Sequence, residues 1–82
     1  MKYYFYIIYS ALLDRYYVGY TSDIEGRLRR HNTNHKGYTG KANDWALVYT
    51  EEYTSKQLAK AREREVKAWK SRKKIEKLVG RG

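Results

Sequence analysis

Tyr16-Tyr17-Val18-Gly19-Tyr20-Thr21-Ser22-Asp23-Ile24-Glu25-Gly26-Arg27-Leu28-Arg29-Arg30-His31-Asn32 is the stretch whose reading decides the fold. Its first residues are aromatic and β-branched, the composition of a strand, and that pattern stops at Gly19 and Thr21. Ser22 has Glu25 three positions on, the spacing of a capping box, so a helix is predicted over Asp23 to about Asn32. On that helix Ile24, Leu28 and His31 share a face, and Arg27 lies at i,i+4 from His31. A strand end rich in tyrosine therefore runs directly into a helix carrying a guanidinium and an imidazole. Phosphate chemistry can use such an arrangement, and plain packing can also produce it.

Before this stretch, Lys2 to Ser10 has strong β propensity and no helical period, which predicts a central strand covered on both faces. The short connection Ala11-Leu12-Leu13-Asp14 makes Lys2–Ser10 and Arg15–Tyr20 an antiparallel hairpin, although two leucines are unusual in a turn. After the first helix, Thr33 to Asp44 is polar, contains glycine and lacks a period, which predicts a surface loop. Loops of that length in a small domain are more often functional than average. Trp45 to Tyr53 reads as a third strand. Thr54 with Gln57 repeats the capping-box spacing and opens a helix to about Lys70, with Leu58, Ala61, Val66 and Trp69 predicted inward. A lysine-rich helix over Arg72 to Val79 follows, its Ile75, Leu78 and Val79 inward, and Gly80-Arg81-Gly82 is expected to fray. The order ββα(loop)βαα predicts an α+β domain, a three-stranded antiparallel sheet packed by helices, spanning residues 1–82.

Composition narrows the function classes. A chain of 82 residues without cysteine has no disulfides and no thiolate metal site to reinforce a thin core. No apolar run approaches the roughly 20 residues of a membrane span, and the tyrosine-rich start does not read as a signal segment. A cytoplasmic monomer without a membrane partner is expected. The net charge of +9 is concentrated at one end: residues 56–82 hold eleven Lys and Arg against three Glu. Such a block favours a polyanionic partner, nucleic acid foremost. Its basic residues Lys67, Lys70, Arg72, Lys73, Lys74 and Lys77 are placed to hold a phosphate backbone without reading bases.

Tyr4-Phe5-Tyr6 and Tyr17-Val18-Gly19 resemble the two tripeptides of the GIY-YIG nuclease motif, with Tyr4 standing where the first name-giving glycine would be. The segment Gly19-x-Thr21-x-Asp23-Ile24-x-x-Arg27-Leu28-x-x-His31-Asn32 is similar to the signature that follows the second tripeptide. Ala59-x-x-x-Glu63, with Lys67 and Trp69 beyond, resembles the acidic third-helix motif, and the whole chain is similar to the small stand-alone UPF0213-like bacterial members. Two departures stand out: Gly26 lies inside the first helix, and no asparagine follows Asp44.

The resemblance implies a metal-dependent endonuclease that hydrolyses phosphodiester bonds of DNA, in repair or processing, with one Mg2+ or Mn2+ held weakly without substrate. It implies catalytic roles for Tyr6, Tyr17, Arg27, His31 and Glu63. Tyr6 and Tyr17 would position or activate water, a nearby cation lowering the phenol pKa from about 10. Arg27 suits non-bridging phosphate oxygens because its planar donors engage two at once. His31 would relay a proton or hold a tyrosine. Glu63 would be the metal ligand, although helical phasing alone brings Glu65 closer to the predicted apolar stripe. Arg27 and Arg30 on the first helix join the lysines of the C-terminal block as nucleic-acid contacts. The alternatives are a non-catalytic nucleic-acid-binding module with the same fold, and an interaction domain whose basic helix docks an acidic protein.

Overall fold

A computed structural model describes residues 1–33 and 42–80. The hairpin forms as the sequence predicts, β1 (Tyr3–Ser10) antiparallel to β2 (Arg15–Thr21). A third strand, β3 (Ala46–Tyr53), pairs antiparallel on the other side of β1, so the sheet order is β2-β1-β3 and β1 is central. Three helices complete the described chain, α1 (Ile24–His31), α2 (Lys56–Trp69) and α3 (Arg72–Val79). The architecture is the α+β, ββαβαα arrangement expected. The expected surface loop falls largely on residues 34–41, outside the described residues.

Alternation along β1 divides the core in two. Phe5 and Ile7, with Val18 of β2, face Val66 of α2 and the partly buried Trp69, Ile75, Leu78 and Val79. Tyr6 and Ile8 face the other way, against Trp45, Leu28 of α1, Tyr17 and Leu13. This packing explains the odd turn residues, for Leu13 is used inward while Leu12 projects into solvent. Full burial of a side chain such as Phe5 or Ile7 stabilises by about 1.5–3 kcal/mol, so this short list of residues supplies most of the hydrophobic driving force. In β3 the register against β1 slips between Ile7↔Tyr49 and Ile8↔Leu47. Val48 is the extra residue of that bulge, and Val48 and Tyr49 consequently both reach the Phe5 side of the core.

The helix starts differ by one residue from the capping boxes. Asp23, not Ser22, caps α1, its Oδ1 accepting from Gly26 N at 3.1 Å while Thr21 Oγ1 accepts from Asp23 N at 3.0 Å. Ser55, not Thr54, caps α2, accepting from Leu58 N, and Ser71 caps α3. Gly26 is thereby the third residue of α1, and a Cβ there would stand 2.3 Å from Asp23 Oδ2. The glycine leaves room for the capping carboxylate. Gly80 does not fray: at φ 90° it closes α3, its N–H donating to the carbonyls of Glu76 and Lys77.

The inward face of α2 also differs in part from the predicted one. Leu58 is 54% exposed and Ala61 is exposed, while Ala59 and Val66 are buried and Arg62, Glu63 and Trp69 lie between. The sheet below explains this phase. Glu51 of β3 accepts from the hydroxyls of Tyr49 and Tyr53, both at 2.5 Å, and from Arg62 Nε and Nη2 at 3.0 and 3.2 Å. The Arg62 guanidinium also lies over the rings of Phe5 and Trp69. A charged residue thus occupies the centre of the helix–sheet interface with its hydrogen-bonding demand met. At the far end, Arg72 ties α3 to the β1–β2 turn, donating from Nη1 to the Asp14 carbonyl and from Nη2 to Asp14 Oδ1.

Candidate active site

Strand register places the motif tyrosines. Tyr6 pairs with Gly19, and Ile8 with Tyr17, so Tyr6, Tyr17 and Gly19 share one face with Tyr6 diagonal to Tyr17. A Cβ on Gly19 would lie 2.6 Å from Tyr6 Oη and 2.7 Å from its Cζ. The glycine is therefore the space across which the Tyr6 ring lies. The ring ends at α1, where its hydroxyl is hydrogen-bonded to His31 Nε2 at 2.9 Å, both residues being buried. His31 also packs on Tyr17, with ring centroids 4.9 Å apart.

Beside these rings opens a cavity of about 480 Å3 lined by Tyr6, Tyr17, Gly19, Arg27, Lys56 and Glu63, together with Tyr3 and residues 20–22. Tyr17, Gly19 and Thr21 point to one face of the sheet and Tyr20 to the other, so the cavity crosses the free edge of β2. Arg27 reaches it from α1 and Glu63 from α2. Four of the five residues expected to act together, Tyr6, Tyr17, Arg27 and Glu63, thus line one cavity, and the fifth, His31, holds the Tyr6 hydroxyl from behind.

The choice between Glu63 and Glu65 is made by α2's phase. The Glu63 side chain is 18% exposed, whereas that of Glu65 is 58% exposed and pairs with Arg62. Lys67 Nζ stands 3.6 Å from Glu63 Oε2 and 5.7 Å from the Tyr17 ring centroid. Lys56, which nothing in the sequence pattern singles out, lies two turns before Glu63 on the same helix face and lines the cavity as a second cation beside Arg27.

Electrostatics overturn one expectation. The Tyr6 phenol is not acidified. Burial, reinforced by Tyr17 and Glu63, pushes its pKa well above 10, and the opposing influence of Arg27 is too small to reverse that. Tyr6 is a neutral phenol at every physiological pH.

The other basic residues are dispersed. Arg30 is exposed on α1, and Lys73 on α3. Lys74 and Lys77 flank Trp69 and Leu78 around a shallow hollow, Lys74 Nζ lying 6.0 Å from the Trp69 ring centroid. Arg72 is committed to Asp14 and Glu76, which takes it out of the expected set of backbone contacts. Two side chains given no role by the sequence pattern hold the frame. Asn32 donates to the Trp45 carbonyl at 3.0 Å and accepts from Trp45 N at 2.7 Å, clasping both ends of the long connection. Asp44 accepts from Ser10 Oγ at 2.6 Å and from Leu12 N at 2.9 Å. No described helix is long and apolar enough to cross a membrane.

Comparison with known proteins agrees with this fold. Residues 2–76 match the family model of the GIY-YIG catalytic domain. A UPF0213 protein of Staphylococcus haemolyticus is 35% identical over 82 residues, covering 98% of each chain. A UPF0213 protein of Natronomonas pharaonis is 38% identical over 77 residues, covering 93% of this chain and 88% of its own. The solution NMR structure of a UPF0213 protein from Bacillus halodurans is 34% identical, with a TM-score of 0.59 covering 96% of this chain and 83% of that one.

Proposed function

Because the chain belongs to the GIY-YIG catalytic-domain family, we propose that it is a metal-dependent endonuclease that hydrolyses phosphodiester bonds of nucleic acid, DNA foremost, in the cavity at the β2 edge. The observation that carries this reading is the meeting of two phenols, a guanidinium and a carboxylate in one cavity wide enough for a backbone phosphate.

Arg27, exposed at the cavity mouth, engages two non-bridging oxygens and meets the charge that grows on them as the phosphorus becomes five-coordinate. Lys56 adds a second cation to the same wall. Burial favours the protonated form of Tyr6, and its hydroxyl, held by His31, orients water at the cavity wall by hydrogen bonding. His31 fixes the direction of that hydroxyl. Tyr17, at the same wall, positions the attacking water against the phosphate.

Among the described residues, Glu63 is the one carboxylate lining the cavity, and no three His, Asp or Glu gather into a ready-made cation site. A single hard oxygen donor fits Mg2+ or Mn2+, which keep several waters and take substrate phosphate as further ligands. When bound, the ion supplies Lewis-acid charge to the phosphate and acidifies water near neutral pH.

A cleavage screen over plasmid, single-stranded and branched DNA and over RNA, with Mg2+ or Mn2+ and with chelator, tests the proposal. Metal-dependent nicking by the native chain and none by Glu63→Gln is the expected result. Salt-dependent binding without turnover on any substrate would return the fold to a binding module.

A further inference from the structure

Next to the first cavity lies a second, of about 340 Å3, and Tyr17 forms the wall between them. Its floor is apolar, made by Val18, Val66 and Ile75, and its rim carries Arg15, Lys67, Lys70 and Arg72. Among the described residues the one acid on the rim is Asp14, already matched by Arg72 Nη2 at 2.6 Å and by the Tyr9 hydroxyl at 2.5 Å. Arg15, Lys67 and Lys70 are left as an excess of positive charge around a hollow.

Two details indicate that this hollow serves a ligand. Lys70 ends α2 with φ 48° and ψ 34°, the left-handed conformation that glycine or asparagine usually takes at such a position. A lysine held there costs the fold stability, and Lys70 lines the cavity, as residues with strained backbone often do at binding sites. Lys67 lines the second cavity and is paired with Glu63, a residue that lines the first. It sits one helical turn, about 5.4 Å, beyond Glu63, against the Tyr17 ring and in a half-exposed ion pair with Glu63. Such a pair is weak, so an arriving anion can take the lysine over.

We propose that the second cavity seats the backbone phosphate adjacent to the one being cleaved, with Arg15, Lys67 and Lys70 as its donors and the apolar floor beneath the sugar. The inference rests on reading the first cavity as the site of cleavage. A strand entering along the free edge of β2 then places one phosphate at Arg27 and Glu63 and its neighbour one step on, past Tyr17. Lys67 passes from Glu63 to that neighbour, which frees the carboxylate when substrate is present.

The test is an NMR titration without metal, comparing the thymidine dinucleotide, which has one phosphate between its sugars, with the trinucleotide, which has two. The native chain should bind the trinucleotide about tenfold more tightly, the worth of one charge-assisted contact, with shifts at Val18 and Ile75 that the dinucleotide does not produce. In Arg15→Gln/Lys70→Gln, whose retained spectrum reports folding, the preference for the trinucleotide should be lost and the added shifts at Val18 and Ile75 should disappear. A variant that keeps the native preference for the trinucleotide overturns the inference while leaving the first cavity intact. A dinucleotide that shifts neither Tyr17 nor Arg27 in the native chain overturns the underlying reading as well.

Discussion

Replacing Gly19 by alanine probes how the site is built, because the effect can be worked out from one contact. The new Cβ would stand 2.6 Å from Tyr6 Oη and 2.7 Å from Cζ, well inside van der Waals distance. Tyr6 is 3% exposed and packed against Ile8, Trp45 and Leu28, so its ring can give way only by leaving that packing for the cavity beside it. Overpacking of this kind costs about 1–3 kcal/mol. Displacing the ring also breaks its bond to His31, at about 1 kcal/mol. Removing a strand glycine returns about 0.5–1 kcal/mol. The net expectation is a loss of about 2 kcal/mol, or roughly 10 °C in Tm for a domain of this length. Thermal and urea unfolding of a double-mutant cycle isolates the cause. In a Tyr6→Leu background the obstructing ring atoms are gone, so Gly19→Ala should cost little or stabilise, giving a coupling of about 1–3 kcal/mol. Equal costs in both backgrounds would refute the claim that Gly19 is there to clear the Tyr6 ring.

Three further outcomes are expected. Tyr6 and Tyr53 both hold their protons above their ordinary pKa, Tyr53 up to about 12 through burial and its bond to Glu51, whereas in the unfolded chain each ionises near 10. Stability is therefore complete below pH 10 and falls as pH rises through the folded values; urea midpoints at pH 8, 10 and 11 should show this decline, and Tyr6→Phe should flatten it. Arg62→Ala removes two donors from the partly buried Glu51 and should cost about 2 kcal/mol, read as a lower urea midpoint, without changing cleavage per folded molecule. Lys73→Gln/Lys74→Gln/Lys77→Gln should weaken duplex binding for all sequences alike and flatten the slope of log affinity against log salt by roughly 0.9 for each phosphate no longer neutralised; an unchanged slope in fluorescence anisotropy would remove α3 from the binding face.

Much of this architecture was legible in the sequence, and the parts that were not have physical reasons. Strand assignment followed directly from the runs around Phe5 and Val18, because no helical period competes there. Helix starts were ambiguous because Ser22-Asp23 and Thr54-Ser55 each offer two adjacent caps, and local spacing cannot say which oxygen the sheet leaves facing the free N–H groups. On α2, Val66 and Trp69 are inward as the pattern predicts, whereas Ala59, Arg62 and Glu63 take the inward positions expected of Leu58 and Ala61, with Leu58 left in solvent. Hydrophobic patterning is silent when a small residue and an arginine form the contact. The phase of α2 decided between Glu63 and Glu65, which only the similarity of Ala59-x-x-x-Glu63 to a family motif had separated. Lys56 was invisible among eleven basic residues of the C-terminal block until the fold set it on the cavity wall. The raised pKa of Tyr6 needed coordinates too, since burial and the approach of Arg27 act in opposite directions and only geometry shows which prevails.

The central claim is that Tyr6, Tyr17, Arg27 and Glu63 act together on one phosphate. Single-turnover cleavage of a labelled DNA by the native chain, Arg27→Ala and Glu63→Gln, with affinity for the same DNA and Tm measured alongside, tests it most directly. The account predicts that both variants lose cleavage, that Tm stays within a few degrees because Arg27 is exposed and Glu63 carries only a weak ion pair, and that Glu63→Gln still binds. A Glu63→Gln variant that cleaves as fast as the native chain would contradict it.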